Sequence, residues 1–306
     1  MSKRIIFMGT PEFSVLPLES LIKSNYEIIA VYSQPPKRAH RGKKINSSSV
    51  ENFARKNSLI VRTPEILDSE QEYNFIKKLN PDIVVVVAYG KIIPKKFLSL
   101  SKYGFINIHA SLLPKWRGAA PIQRSIMNMD TETGISIMKI NEELDAGPIV
   151  HQTKIDIDEN MNAKTLSEIL SRLGAKNLIF AIKKIIDEEI KFDEQDHSMA
   201  TYAKKINKHE GKIEWNQSAK KILAKINGLN PNPGAWFEYK NERYKVWKAK
   251  ILRLKGKAGF TINEELTIAC MEDSIQILEI QKEGKSKLSI KKFLLGNPIK
   301  IGESII

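Results

Sequence analysis

Ile83-Val84-Val85-Val86-Val87 is the stretch that most narrows what this chain can fold into. Five consecutive branched aliphatic side chains leave no polar face at a period of two, so a strand over residues 82–88 must be covered on both sides. Strands of that kind belong to parallel sheets sandwiched between helices. Lys3 to Gly9 is a second buried-strand pattern, and the Thr10-Pro11-Glu12 that follows puts proline where the first turn of a helix accepts it, with that helix expected to run to about Ser24. Residues 26–32 read as a further strand, and helices are expected near 50–57 and 69–79. Such alternation predicts a doubly wound, mostly parallel α/β sheet. The turn after the first strand carries Gly9 alone and not G-x-G-x-x-G, which weighs against a nicotinamide or flavin enzyme.

A parallel α/β sheet takes its ligands outside the carboxyl ends of its strands. In Gly104-Phe105-Ile106-Asn107-Ile108-His109 the alternate residues Phe105, Asn107 and His109 share a face, and the last two fall at the carboxyl end. An amide there can donate to a carbonyl oxygen, and an imidazole can move a proton near neutral pH. Asp145, in Leu144-Asp145-Ala146-Gly147-Pro148 after an expected strand at 134–140, is placed to orient the ring or accept charge. Taken alone, these residues also suit a structural histidine, a turn-forming asparagine and a turn-capping aspartate. Ala88-Tyr89-Gly90-Lys91, after the valine run, is either part of a pocket or a plain strand-to-helix turn. Lys115 and Arg117 flank the same region, as phosphate contacts or as solvated loop charges. Further elements are expected as helices near 94–100, 119–129 and 162–189 and a strand near 148–157.

With 306 residues, 42% of them hydrophobic and 27% charged, the chain has enough apolar content for one full core and enough length for two domains. The single cysteine, Cys270, rules out an internal disulfide, and the five histidines form no spacing that suggests a metal site. No metal is expected. The apolar stretch behind the basic start is only Ile5 to Met8, and there is no apolar run of membrane-spanning length, so a cytosolic protein is expected. The net charge of +14 points to a polyanionic partner or to a lysine-rich surface.

Composition shifts over 191–206, where Asp193, Glu194, Gln195, Asp196 and His197 precede Lys204 and Lys205; this stretch is expected to be a linker between domains at 1–190 and 207–306. The second part holds 19 Lys plus Arg against 11 Asp plus Glu, a net +8. A helix at 218–227 and the breaker Asn230-Pro231-Asn232-Pro233-Gly234 precede short alternating segments at 235–239, 243–251, 266–269, 274–280 and 287–292. That pattern predicts a small antiparallel barrel. Its Trp236, Tyr239, Tyr244 and Trp247 serve either as core or, with the positive charge, as an RNA surface. Lys37 to Lys44 carries five bases and no acid, and should form a loop at the carboxyl edge of the sheet.

The segment GFINIHASLLPKWRGAAPIQRSIMNMDTETGISIMKINEELDAGPIV, from Gly104 to Val150, resembles the core of the 10-formyltetrahydrofolate-dependent formyltransferases. MGTPEF near the start, VVVVAYGKIIP in the middle and NGLNPNPGAW late in the chain extend the likeness over nearly the whole length, to the branch that acts on aminoacyl-tRNA. The resemblance implies formyl transfer from 10-formyltetrahydrofolate, as co-substrate, to the α-amine of methionyl-initiator tRNA, by a soluble cytoplasmic enzyme, expected to be a monomer. It implies catalytic roles for Asn107, His109 and Asp145, and a folate site at Ser111, Leu112, Leu113 and Pro114 with Tyr89 and Gly90. The basic run matches an insertion that grips the acceptor stem, the family's key arginine falling on Arg41 with Lys43 and Lys44 beside it. The second part resembles the family's OB-like C-terminal domain. Formyl transfer to another amine, such as a nucleotide sugar, and a catalytically silent RNA-binding protein are the alternatives; the basic C-terminal part weighs against the first, and the intact Asn107, His109 and Asp145 against the second.

Overall fold

The computed structural model describes residues 2–39, 44–189 and 191–305. The chain forms two compact units, the first built from residues 1–121, 133–155 and 167–203 and the second from 122–132, 156–166 and 204–306.

In the first unit the elements are, in order, β1 (Arg4–Gly9), α1 (Val15–Ile22), β2 (Glu27–Tyr32), β3 (Lys37–Ala39), β4 (Lys44–Asn46), α2 (Ser49–Lys56), β5 (Val61–Arg62), α3 (Glu70–Leu79), β6 (Ile83–Val87), β7 (Phe105–His109) and β8 (Arg117–Gly118). There follow α4 (Pro121–Met127), whose residues from Ile122 onward fall in the second unit, β9 (Glu132–Lys139), β10 (Ile149–Asp156), α5 (Ala163–Ile186) and β11 (Tyr202–Ala203). The main sheet has seven strands in the order β10-β9-β7-β6-β1-β2-β5. Strands β2, β1, β6 and β7 run parallel, with Ile5 beside Ile83 and Val86 beside Asn107. As the valine run demands, all five residues of β6 are buried, each worth about 1.5–3 kcal/mol in water-excluded apolar surface.

Helix starts follow the local chemistry. Ser48 and Ser69 accept the backbone N–H groups of Glu51 and Glu72 at the heads of α2 and α3, and Asn80 closes α3 in the left-handed region. The helix expected at 94–100 is only a 3-10 turn over Lys95–Phe97, and α1 begins at Val15 after a 3-10 turn over Glu12–Ser14.

Two findings shape the site. Strand β9 runs antiparallel to β7, pairing Ile106 with Lys139 and His109 with Ser136. Residues 191–203 of the expected linker lie in the first unit: Asp193 exchanges backbone hydrogen bonds with Ile149, and β11 pairs with β8.

The second unit carries α6 (Ala219–Gly228), β12 (Ala235–Tyr239), β13 (Glu242–Leu252), β14 (Thr267–Ala269), β15 (Ser274–Lys282), β16 (Leu288–Ser289) and α7 (Ile290–Gly296). Its antiparallel sheet runs β12-β13-β15-β14, with β16 on β15. The segment expected as a strand at 287–292 instead turns into α7 after Ser289, because Ile290 and Phe293, one helical turn apart, bury the same face. The core gathers Ile222, Ile226, Phe237, Tyr244, Ile268, Ile277 and Phe293. Cys270 is buried there, and desolvation pushes its thiol up to about 12. The thiol therefore stays protonated and inert at pH 8. A thiol-reactive chromogenic reagent should label native protein far more slowly than urea-unfolded protein, and fast labelling of the native form would contradict this burial.

Candidate active site

Strand β7 ends where its sequence places the two polar residues on one face. Asn107 is half-buried, and its carboxamide has no side-chain hydrogen bond among the described residues. His109 is 6% exposed, and its Nε2 lies 2.8 Å from the carbonyl oxygen of Trp116. That contact calls for the proton on Nε2, which leaves Nδ1 as the basic nitrogen. Nδ1 faces Asp145 Oδ2 at 3.5 Å.

Bringing Asp145 there takes a loop that doubles back. Because β9 is antiparallel to β7, the chain leaves β9 with Ile140 N–H bonded to Phe105, at the start of β7, and must return along the strand to reach His109. Asp145 adopts φ +49°, a left-handed conformation that aspartate tolerates better than most residues, and its Oδ2 accepts the Gly118 N–H at 2.8 Å. Trp116, at φ +61°, is a stronger exception; its N–H donates to Thr201 Oγ1 at 2.9 Å while its carbonyl holds His109. Backbone strain of this kind costs about 1–3 kcal/mol and concentrates at functional sites.

The Ser111-Leu112-Leu113-Pro114 segment is a fixed turn. Ser111 Oγ donates to Lys115 O at 2.6 Å, Ser136 Oγ donates to Ser111 O at 2.6 Å and accepts Leu113 N–H at 3.0 Å, and Gln152 Nε2 donates to Leu113 O at 2.8 Å. Ser111 and Leu113 are buried, whereas Leu112 and Pro114 are partly exposed. Of the other folate candidates, the Tyr89 ring is core, packed among Tyr32, Val86 and Phe97, and burial raises its hydroxyl pKa. Its backbone faces the carboxyl edge: Tyr89 O accepts Thr10 Oγ1 at 2.8 Å and Gln34 Nε2 at 3.1 Å, and the exposed Gly90, at φ +78°, has its carbonyl on the same Gln34 amide at 3.0 Å.

Arg117 is not a surface phosphate ligand. It is 3% exposed and donates from Nε and Nη2 to Gln195 Oε1 at 3.1 and 2.8 Å, whereas Lys115 is exposed. Arg41 and Lys43 lie outside the described residues, and of Lys44 only the backbone, paired as β4 with β3, is described. Among the described residues no group of three or more His, Cys, Asp or Glu could hold a metal ion, and no helix is long and apolar enough to cross a membrane.

In the second unit Trp236, Tyr239, Tyr244 and Trp247 divide two and two. Tyr239 and Tyr244 are buried in its core. Trp236 and Trp247 lie outside it, Trp236 beneath the Arg243 guanidinium at 3.9 Å and Trp247 beneath Lys245 Nζ at 4.2 Å and Lys287 Nζ at 5.6 Å. A cleft of about 560 Å³ opens beside Trp247, between Asn230, Lys248 and Lys287.

Residues 3–182 match the family model for formyl transferase, and residues 205–298 match that for the formyl transferase C-terminal domain. The chain belongs to the formyl transferase family. Among curated relatives of this formyl transferase, the methionyl-tRNA formyltransferase of Pelagibacter ubique is 51% identical over 307 residues, covering 100% of this chain and 99% of the relative. That of Bradyrhizobium diazoefficiens is 40% identical, covering 99% of each. Among solved structures, HypX from Aquifex aeolicus in complex with tetrahydrofolic acid aligns with a TM-score of 0.69 at 16% identity, over 96% of this chain and 47% of that one. An N-formyltransferase from Helicobacter canadensis, in complex with folinic acid and dTDP-3-aminofucose, aligns with a TM-score of 0.68 at 21% identity, over 92% and 100%. At those identities the structures attest the shared fold alone.

Ser136, Gln152, Gln195 and Thr201 carry no site signal in the sequence; Ser136 and Gln195 are buried, and Gln152, although exposed, reaches the turn through its amide. Gly147 offers the sharpest handle on the loop, since a Cβ there would overlap the Lys139 carbonyl oxygen. Gly147→Ala should shift Asp145 away from His109 and lower kcat for formyl transfer by about 10²-fold. Steady-state kinetics check it; full turnover would mean that the loop tolerates displacement.

Proposed function

We propose that this chain transfers the formyl group of 10-formyltetrahydrofolate to the α-amine of methionyl-initiator tRNA, as a cytoplasmic monomer, with residues 1–190 catalytic and 207–306 engaging tRNA. The observation that carries the reading is an Asn107 amide with no partner among the described residues, beside a His109–Asp145 pair 3.5 Å apart, at a strand end followed by the fixed Ser111–Pro114 turn. Full-length likeness to proteins named methionyl-tRNA formyltransferase supports this amine over a nucleotide sugar.

The residues divide the work. When the neutral amine attacks the formyl carbon, a C–N bond forms, the carbonyl oxygen becomes an oxyanion and the nitrogen becomes positive. Asn107 Nδ2 donates to that oxygen. The surplus proton leaves the nitrogen for the His109–Asp145 pair: Nδ1 is the ring nitrogen without a proton, and the carboxylate 3.5 Å away stabilises the imidazolium. The oxyanion then re-forms the carbonyl as the bond from the formyl carbon to the folate nitrogen breaks, and that nitrogen takes the proton held by the pair. No covalent enzyme intermediate is needed. Leu112 and Pro114, the partly exposed members of their turn, and the Gly90 edge are the surfaces assigned to the folate, with Ser111, Leu113 and Tyr89 shaping them from within.

Asn107→Ala and His109→Ala should each lower turnover by about 10²- to 10⁴-fold with donor affinity retained, and Asp145→Asn should also cost turnover. The assay is formation of N-formyl-methionyl-tRNA from methionyl-tRNA and the donor. Near-wild-type rates in any variant remove that residue from the chemistry, and no product from wild type removes the function.

On the tRNA side we assign Arg41, with Lys43 and Lys44, to the acceptor stem, and the cation-covered Trp236 and Trp247 face to RNA. Arg41→Ala should lower kcat/KM for methionyl-tRNA strongly and Arg41→Lys in part, with folate affinity untouched. Equal kcat/KM in all three proteins would take the basic run out of substrate recognition.

A further inference from the structure

Gln195 and Arg117 belong to neither the reacting pair nor a free surface. Gln195 is 5% exposed and Arg117 3%. The Gln195 carboxamide is saturated: Nε2 donates to Asp145 O at 2.9 Å and Gly147 O at 2.7 Å, and Oε1 accepts Arg117 Nε at 3.1 Å and Nη2 at 2.8 Å. The remaining Arg117 contact is Nη1 with His197 Nδ1 at 3.5 Å. No carboxylate pairs with this guanidinium among the described residues.

The loop that Gln195 grips has little else to hold it. Residues 141–144 are exposed; they are tied by Glu143 N–H to Asn141 Oδ1 at 3.1 Å, by Ala146 N–H to Glu143 O at 3.5 Å, and by a solvent-exposed ion pair of Lys95 Nζ with Glu142 Oε1 at 2.6 Å, a kind of contact worth little in water. Gln195 reaches the loop because Asp193 and Ile149 exchange backbone bonds at 2.8 and 2.9 Å, which sets residue 195 opposite residue 147. Its amide plane is set by two N–H groups of one guanidinium converging on a single oxygen. Three consecutive residues then control the whole site. Trp116 O holds the His109 ring, Gly118 N–H holds the Asp145 carboxylate, and the Arg117 side chain between them aims the amide that clamps the Asp145 backbone.

We infer that Gln195, oriented by Arg117, is a positioning residue for formyl transfer, fixing the Asp145 loop so that the carboxylate stays in register with His109 Nδ1. The inference rests on the catalytic reading of His109 and Asp145 given above. Gln195→Glu separates this role from packing. It keeps the volume and the acceptor toward Arg117 but puts an oxygen with no proton against the two loop carbonyls.

Gln195→Glu should lower kcat by about 10²-fold, the scale of an ångström-sized misplacement, with unchanged KM for methionyl-tRNA and for the folate donor. In an Asp145→Asn background, measured by single turnover with excess enzyme, the same change should cost far less, because the group being positioned is already gone. Gln195→Ala repeats both measurements, and thermal melting of every variant reports whether the fold survives. Four results overturn the proposal: wild-type kcat in both Gln195 variants, a KM effect in place of a kcat effect, an equal loss in the Asp145→Asn background, or failure of both variants to fold. Each leaves the functional reading standing so long as wild type is active and Asp145→Asn is impaired. Absence of transfer by wild type is the distinct outcome that sinks that reading and this proposal together.

Discussion

A strand with no solvent face is the constraint on which the first unit depends. Strand β6 is buried along its full length, so its neighbours β1 and β7 run parallel to it and the connecting segments cover both sides. Parallel strands open their carboxyl ends on one edge. That edge gathers Thr10 after β1, Gln34 after β2, the Ala88–Gly90 turn after β6 and the Ser111–Pro114 turn after β7. Their mutual bonds, Thr10 and Gln34 on the Tyr89 carbonyl and Gln34 on Gly90, make the edge a stiff ledge with few free polar groups.

Against that background the Asn107 amide, without a partner among the described residues, stands out. Buried and half-buried polar groups normally find partners within the protein, and one that does not, at the carboxyl end of a strand, is available to a ligand or a reaction. The neighbouring turn is held by its own groups. Ser111, Ser136 and Gln152 satisfy one another and the turn backbone, and the His109 ring is held at Nε2 by a carbonyl.

The antiparallel β9 supplies what a purely parallel sheet would not. A parallel strand would have ended at the catalytic edge and delivered Asp145 directly. Strand β9 ends at the other side of the sheet, so the loop returns to His109 with little sequence-local support. Segments distant in the chain therefore fix it: Gly118 at the carboxylate and Gln195 at the backbone. The left-handed conformations of Trp116 and Asp145 fit a site whose geometry is imposed by its surroundings.

Several features were decided by the sequence alone. The valine run required a doubly covered parallel strand, the period-two spacing put Asn107 and His109 on one face, and the breaker-rich, alternating second part required antiparallel strands, because each follows from local periodicity and side-chain volume. Other features depend on contacts between residues far apart in the chain, which no local pattern encodes. The direction of β9, the core position of the Tyr89 ring, the division of Trp236, Tyr239, Tyr244 and Trp247 into core and surface, and the helix at 290–296 are of that kind. Arg117 and Gln195 show the difference most plainly. In sequence they are a loop charge and one polar residue in a stretch expected to be a linker, and only burial against each other makes them a clamp, since a guanidinium and an amide saturate one another when water is excluded.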